Sequence, residues 1–266
     1  MDTEVKAAGH RQHLGPDLMA PEQDRHMLIV EELLPLNSLS GAQYLDAWVE
    51  IVEHLENLHK HGVLHRNISF ATLVYRKTGT AIHGVLTDFD LATSSQNRVD
   101  YPFHLLHRTG TMPFLARELL EIGDVAPHLL RHDLESALYV LVWDIANTVA
   151  PGATANIHLQ KWLDPTTSAS AKGAVGTHLA EPTLISGQGI PLGNMDPLRI
   201  PLGGIFAQLS MGYNQLLAWR IASRFKPRTG LHGDNKKSWE SLWDYFVTEA
   251  VVQKFRDFKQ ASAQSH

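Results

Sequence analysis

The stretch that most restricts the fold is Asp133 to Val149. From Ala137 onward it is apolar almost all round. A helix without a polar face must be buried on most sides. Two further stretches carry a strong helical period. From Tyr44 to His61 the apolar positions are Leu45, Trp48, Val49, Val52, Leu55 and Leu58, and Gly62 stands where a left-handed C-terminal cap belongs. From Ser238 to Phe258 a stripe runs through Trp239, Leu242, Trp243, Phe246, Val247 and Phe255.

Strand signals are few. Met27 to Val30 is a short apolar run that fits a buried edge strand, and Glu31 to Pro35 leaves it as a connector. Leu73-Val74-Tyr75 and Gly84 to Leu86 read as a hairpin turned at Lys77-Thr78-Gly79. Residues 88–118 read as one long irregular segment. Residues 164–204, rich in Gly, Pro, Ser and Thr, read as a loop or insertion. Helices dominate, and the rhythm of a doubly wound sheet is absent. The expected class is mainly α (α+β) with a small β-hairpin. The expected layout is a tail over 1–26, one domain over 27–258 and a short tail over 259–266.

Composition narrows the function classes. The 266 residues hold 23 basic and 28 acidic side chains, for a net charge of −5. That balance offers no electrostatic footprint for nucleic acid or an anionic membrane. No run approaches a membrane span, and Met1 to Ala20 has no apolar signal region, so a cytoplasmic or nuclear location is expected. There are no cysteines, so disulfides, thiolate metal sites and cysteine nucleophiles are excluded. The 16 histidines are scattered without an HExxH pattern. His54, His59, His61 and His65 crowd one stretch, but their spacing does not align ligands on one helix face, and surface or hydrogen-bonded roles are expected.

Four motifs carry chemical information. They are Leu64-His65-Arg66-Asn67-Ile68-Ser69, Asp88-Phe89-Asp90, Gly110 to Ala116 (GTMPFLA) and His132-Asp133-Leu134-Glu135-Ser136. In this order and spacing the chain resembles the C-lobe of a protein kinase, specifically the fungal-type protein kinase family. That family carries an LHRDIS-like catalytic loop, a DFD metal motif, a GTxPFMA-like segment and an HDLES-like helix start. The resemblance implies a protein kinase-like C-terminal lobe, with Mg²⁺ and ATP as the family's cofactors.

The departures are as informative as the matches. The kinase loop needs an Asp to accept the substrate proton and an Asn for the second Mg²⁺. The base position here is Asn67, whose amide has no useful basicity. The metal position is Thr72. Asp88 keeps the metal carboxylate. By resemblance, His65 and Phe89 are stacking residues between the motifs, and Arg66 is a receptor for a phosphorylated activation segment, with Thr93, Ser94, Ser95 or Thr109 as the modified residue. Asp133 is an acceptor for the catalytic-loop backbone and a helix N-cap. Glu118 is an acid that pairs a C-lobe arginine, with Arg228 as candidate. Val30 stands at the gatekeeper, Glu31 and Leu33 in the hinge, and Val74 below the adenine.

Upstream of Met27 no GxGxxG or strand lysine appears, so the N-lobe is expected to be largely absent. Leu231-His232-Gly233-Asp234-Asn235 mimics a small-molecule phosphotransferase loop, but it reads as the loop and cap before the last helix. The favoured expectation is a pseudokinase that needs no cofactor and binds a protein partner on the N-lobe-facing surface around Leu28, Val30 and Val74. The alternative is a serine/threonine kinase completed by a longer isoform or a partner. A non-functional remnant fits the same residues.

Overall fold

The computed structural model describes residues 32–94, 110–120, 128–149, 157–180, 189–224 and 253. The expected tails, the Met27–Val30 strand, the loop at 231–235 and most of the expected Ser238–Phe258 helix lie outside the described residues. All described residues belong to one compact unit, Glu32–His266.

Strand β1 (Leu34–Pro35) is followed by helix α1 (Gly41–Lys60), β2 (Val63–Leu64), the hairpin β3 (Leu73–Thr78) and β4 (Ala81–Leu86), and β5 (Thr93–Ser94). Helices α2 (Arg117–Leu120), α3 (Leu130–Val149), α4 (Ile157–Gln160), α5 (Ser168–Gly173), α6 (Val175–Ala180) and α7 (Arg199–Arg224) complete the described order. The sheet order is β1-β3-β4, with Leu34 opposite Tyr75 and Leu73 opposite Leu86, all antiparallel. A second ladder pairs β2 with β5. Leu34–Pro35, expected as connector, is thus the edge strand of the sheet. Its pairing comes from a neighbour 40 residues away, which local pattern cannot show.

Helix α3 is the axis of the core. Every residue from Arg131 to Val142 is buried, as its all-round apolarity requires. Helix α1 crosses it through Trp48, fully buried, whose indole Nε1–H donates to the Ala137 carbonyl at 3.1 Å. Each such large side chain contributes roughly 1.5–3 kcal/mol of hydrophobic stabilisation. Gly62 ends α1 with φ 78°, and its N–H donates to the His59 carbonyl at 2.8 Å. On its other side α1 lies directly on β4. A Cβ at Gly84 would stand 2.0 Å from the Ala47 carbonyl oxygen, and the Gly84 N–H donates to Glu50 Oε2 at 2.7 Å. Only glycine permits that approach.

Residues 164–204 depart from the loop expectation. Their described part holds α5, α6, a 3-10 helix at Gly193–Leu198 and the start of α7. Val175, Leu179, Leu192, Leu198 and Leu202 are buried in the main core. Burial against neighbouring helices overrides the weak local propensities that made the stretch look unstructured. Pro201 falls in the first turn of α7, where a missing N–H costs little. Among the described residues, no helix is long and apolar enough to cross a membrane.

Candidate functional site

Strand β2 delivers the chain to His65, Arg66 and Asn67. Their anchor is Asp133, in the first turn of α3. Asp133 Oδ2 accepts the His65 N–H and Oδ1 the Arg66 N–H, each at 3.0 Å, and Oδ1 lies 2.8 Å from His128 Nε2. The carboxylate is buried. Burial alone would raise its pKa, but the charge and hydrogen bond of His128, with His65 and the Arg66 N–H, hold it below the ordinary value. The expected backbone-acceptor role is therefore in place. The N-cap role is not, because α3 begins three residues earlier, at Leu130.

This clamp holds a strained turn. Arg66 has φ 69°, a left-handed conformation that costs a non-glycine residue about 1–3 kcal/mol. Asp88 is also left-handed, with φ 61°, which aspartate tolerates better. Arg66 itself is buried.

His65 is fully buried, and burial lowers its pKa despite the opposing charges of Asp133 and Asp88. Its Nε2 lies 3.0 Å from the Thr87 carbonyl, which can only accept, so Nε2 carries the proton. Its Nδ1 accepts the Asn67 N–H at 3.3 Å. The ring lies 4.8 Å, centroid to centroid, from Phe89 at 58°, the stacking expected of this pair. Phe89 remains 43% exposed.

Asn67 turns its side chain to Asp88. The amide Nδ2 donates to Asp88 Oδ2 at 2.8 Å. A carboxylate only accepts, so the NH₂ end must face it. Thr72 closes the loop from inside. Its Oγ1 accepts the Ser69 N–H at 2.9 Å and lies 2.9 Å from the Asn67 carbonyl and 3.1 Å from that of Ser69. Thr72 is buried. Its backbone carbonyl takes the Thr87 N–H at 3.1 Å, which ties the loop to the end of β4. Ser69 caps the same turn, its Oγ accepting the Ala71 N–H at 3.3 Å.

Oxygen donors for a Mg²⁺ pair are few among these residues. A hard cation asks for several oxygen ligands. Asp88 offers one carboxylate with an amide already seated on it, and the Thr72 hydroxyl is spent on the backbone. Among the described residues no three His, Asp or Glu side chains group to hold a metal ion.

Behind the loop stands a second buried polar set. Glu118, in α2, accepts Arg131 Nη2 at 2.6 Å and His132 Nε2 at 2.9 Å on Oε2. Burial would raise its pKa, but the His132 hydrogen bond and the Arg131 charge outweigh it and hold the group at about 2. Glu118 thus has the expected arginine partner, but within the described residues it is Arg131. Arg228 lies outside them. Burial, with the nearby Arg131 charge, lowers His132 to about 4. Its Nδ1 accepts the Leu129 N–H at 3.1 Å, so its proton sits on Nε2, facing Glu118. Glu135 gathers the Arg117 N–H at 3.0 Å and the hydroxyls of Tyr139 and Tyr213 at 2.6 Å each. Buried Lys172 donates to the Leu115 carbonyl beside them.

Of the nucleotide positions, Val30 and Glu31 lie outside the described residues. Leu33 is half-buried just before β1, and Val74 is half-buried in β3 opposite Pro35 and Val85. Thr93 and Ser94 pair with Leu64 and Val63, while Ser95 and Thr109 are outside. Sequence reading missed His128, Arg131, His132 and Glu135 as a network. The available signal was Glu135 inside the stretch read as a buried helix, with His128, Arg131 and His132 just before it, since buried ionisable groups require partners.

The backbone clamp, the stacked His65–Phe89 pair and the juxtaposed Asn67 and Asp88 are the features the kinase resemblance implies at these positions. The model of the family described as Fungal protein kinase matches residues 37–145, and the resemblance read from the motifs holds over that stretch. No curated protein matches the chain. Among solved structures, a chain of the yeast RNA Pol II CTD kinase CTDK-1 complex is similar at 17% identity and TM-score 0.41. The likeness covers 65% of this chain and spans 62% of the length of that one.

Proposed function

We propose that this chain is a fungal-type pseudokinase: a kinase-like protein that does not transfer phosphate and acts as a binding or scaffolding module. The observation that carries the reading is the hydrogen bond from Asn67 to Asp88 at 2.8 Å. A general base at the Asn67 position would contribute about 10²–10⁴-fold to proton transfer. An amide cannot take up that proton, and here it also occupies an oxygen of the carboxylate that the family uses for Mg²⁺. The inward-turned Thr72 hydroxyl supports the same reading.

The partner surface we propose is the face around Val74, half-buried in β3, where the family's other lobe would stand. The protein is expected to work in the cytoplasm or nucleus, without nucleic acid or membrane.

The second reading is a serine/threonine protein kinase whose N-lobe comes from a longer isoform or a partner. The retained Asp88 and the ordered His65–Phe89 stack favour it. The deciding experiment is Mg·ATP binding by thermal shift, with phosphate transfer to a generic protein acceptor measured alongside. The wild-type chain and the Asn67→Asp/Thr72→Asn variant are both expected to show neither. Wild-type transfer that disappears in Asp88→Ala would overturn the pseudokinase reading.

A further inference from the structure

Away from the catalytic-loop motifs, a cavity of about 410 Å³ opens between the start of α1, the end of α3 and the segment that leads into α7. Its volume lies in the range of small-molecule sites, about 300–1,000 Å³. Leu39, Ile145, Leu192 and Met195 line it with apolar surface. Asp144 lines it too and is only 6% exposed. The Tyr44 hydroxyl donates to Asp144 Oδ2 at 3.0 Å. Among the described residues, Asp144 Oδ1 takes no hydrogen bond from the protein. A carboxylate accepts at about four lone-pair positions, and here a single neutral donor serves it. Among the described residues no basic side chain lines the cavity.

A buried carboxylate with one neutral partner is a costly arrangement unless a cation completes it. A divalent ion is usually held by more than one carboxylate among several oxygen ligands, and Asp144 is the single carboxylate among the described lining residues, beside the neutral Asn37, Ser40, Thr148 and Asn194. An alkylammonium needs one carboxylate for its head and apolar surface for its stem. We infer that this cavity is a binding site for a protonated primary amine on a short apolar stem, with Asp144 as the charge partner and Tyr44 as its positioning residue. The inference is independent of the pseudokinase reading, because neither residue belongs to the catalytic-loop motifs.

The test is isothermal titration of the full 266-residue protein with n-hexylamine, n-hexanol and a capped lysine. Hexylamine is expected to bind at least about tenfold more tightly than hexanol, since a buried charge pair discriminates by more than 1.4 kcal/mol. Tighter binding of the capped lysine assigns the site to a lysine of a partner, and tighter binding of hexylamine to a free amine. Equal affinity for amine and alcohol, or no saturable binding of either, would overturn the proposal. Asp144→Asn should abolish the preference while circular dichroism stays native. A pH titration of the wild type tests the same point without a variant. Burial raises the Asp144 carboxyl to about 6, and among the described residues Tyr44 is the only other titratable group lining the cavity. Amine affinity should then fall about tenfold from about pH 7 to about pH 5 while the amine stays charged. Affinity that does not change over that span would also overturn it.

Discussion

The side-chain amide of Asn67 donates to Asp88 Oδ2 across 2.8 Å, bridging the loop after β2 and the segment after β4. Both side chains lie at the surface of the site rather than in the core. Their contact is a neutral-to-charged hydrogen bond where two carboxylates would repel.

Replacing Asn67 by Asp therefore puts like charges face to face. In water two unit charges about 4 Å apart repel by about 1 kcal/mol. The variant is expected to unfold about 1 kcal/mol more easily than wild type at neutral pH, with the deficit shrinking as the pair takes up a proton in acid. Urea titrations at neutral and acid pH measure the deficit and its shrinkage.

Asp133→Ala removes the acceptor for two backbone N–H groups and the partner of His128. Breaking a buried charged network of this kind costs about 3–5 kcal/mol. The loss should appear first as faster hydrogen exchange at the His65 and Arg66 amides, because that carboxylate holds the φ 69° turn at Arg66. Asp133→Asn keeps one acceptor oxygen and should lose less.

The set around Glu118 predicts a staged acid response. His132 is lowered from 6.5 to about 4, so below pH 6.5 the unfolded chain binds the proton more readily. Stability should fall as pH drops through that window. Glu118 is lowered from 4.5 to about 2, and its contribution is lost over that lower range. His132→Gln should flatten the upper stage and shrink the lower one, because the His132 hydrogen bond helps hold Glu118 down while Arg131 remains. Urea midpoints measured across the acid range separate the two.

Lys172 gives a response on the basic side. Burial lowers it from 10.5 to about 7, against the raising influence of Glu135. Between those values the unfolded chain holds the extra proton, so stability should rise with pH across the window. Lys172→Met should lack that rise. An unchanged slope in the variant would show that another group titrates there.

Gly84→Ala probes the seat of α1 on β4. The new methyl would lie 2.0 Å from the Ala47 carbonyl oxygen. A backbone atom cannot step aside as a side chain can, so the loss should reach the upper end of the overpacking range, about 3 kcal/mol. The thermal midpoint should fall accordingly, with the denaturant m-value unchanged.

Much of the site was legible in local chemistry. The buried helix after Asp133, the cap at Gly62, the hairpin and the Asn67 substitution all follow from residue type and spacing. What local pattern misjudged is instructive. Residues 164–204 carry turn-forming residues, yet Leu179, Leu192 and Leu202 draw them into helices against the core. Leu34 and Pro35 become a strand because Tyr75 and Val74 are there to pair with them.

By itself the sequence determined which groups are present: an amide at the base position, a hydroxyl at Thr72, no thiol anywhere, and a helix that must be buried. Only the tertiary structure decided how those groups are spent. The Thr72 hydroxyl turns inward because three backbone groups surround it, and the Asn67 amide faces Asp88 because the ends of β2 and β4 lie side by side. Arg131 and His132 meet Glu118 because the start of α3 packs on α2. Hydrogen bonds and charge pairs depend on distances of a few ångströms between residues far apart in the chain, and those distances exist only once the core around α3 has closed.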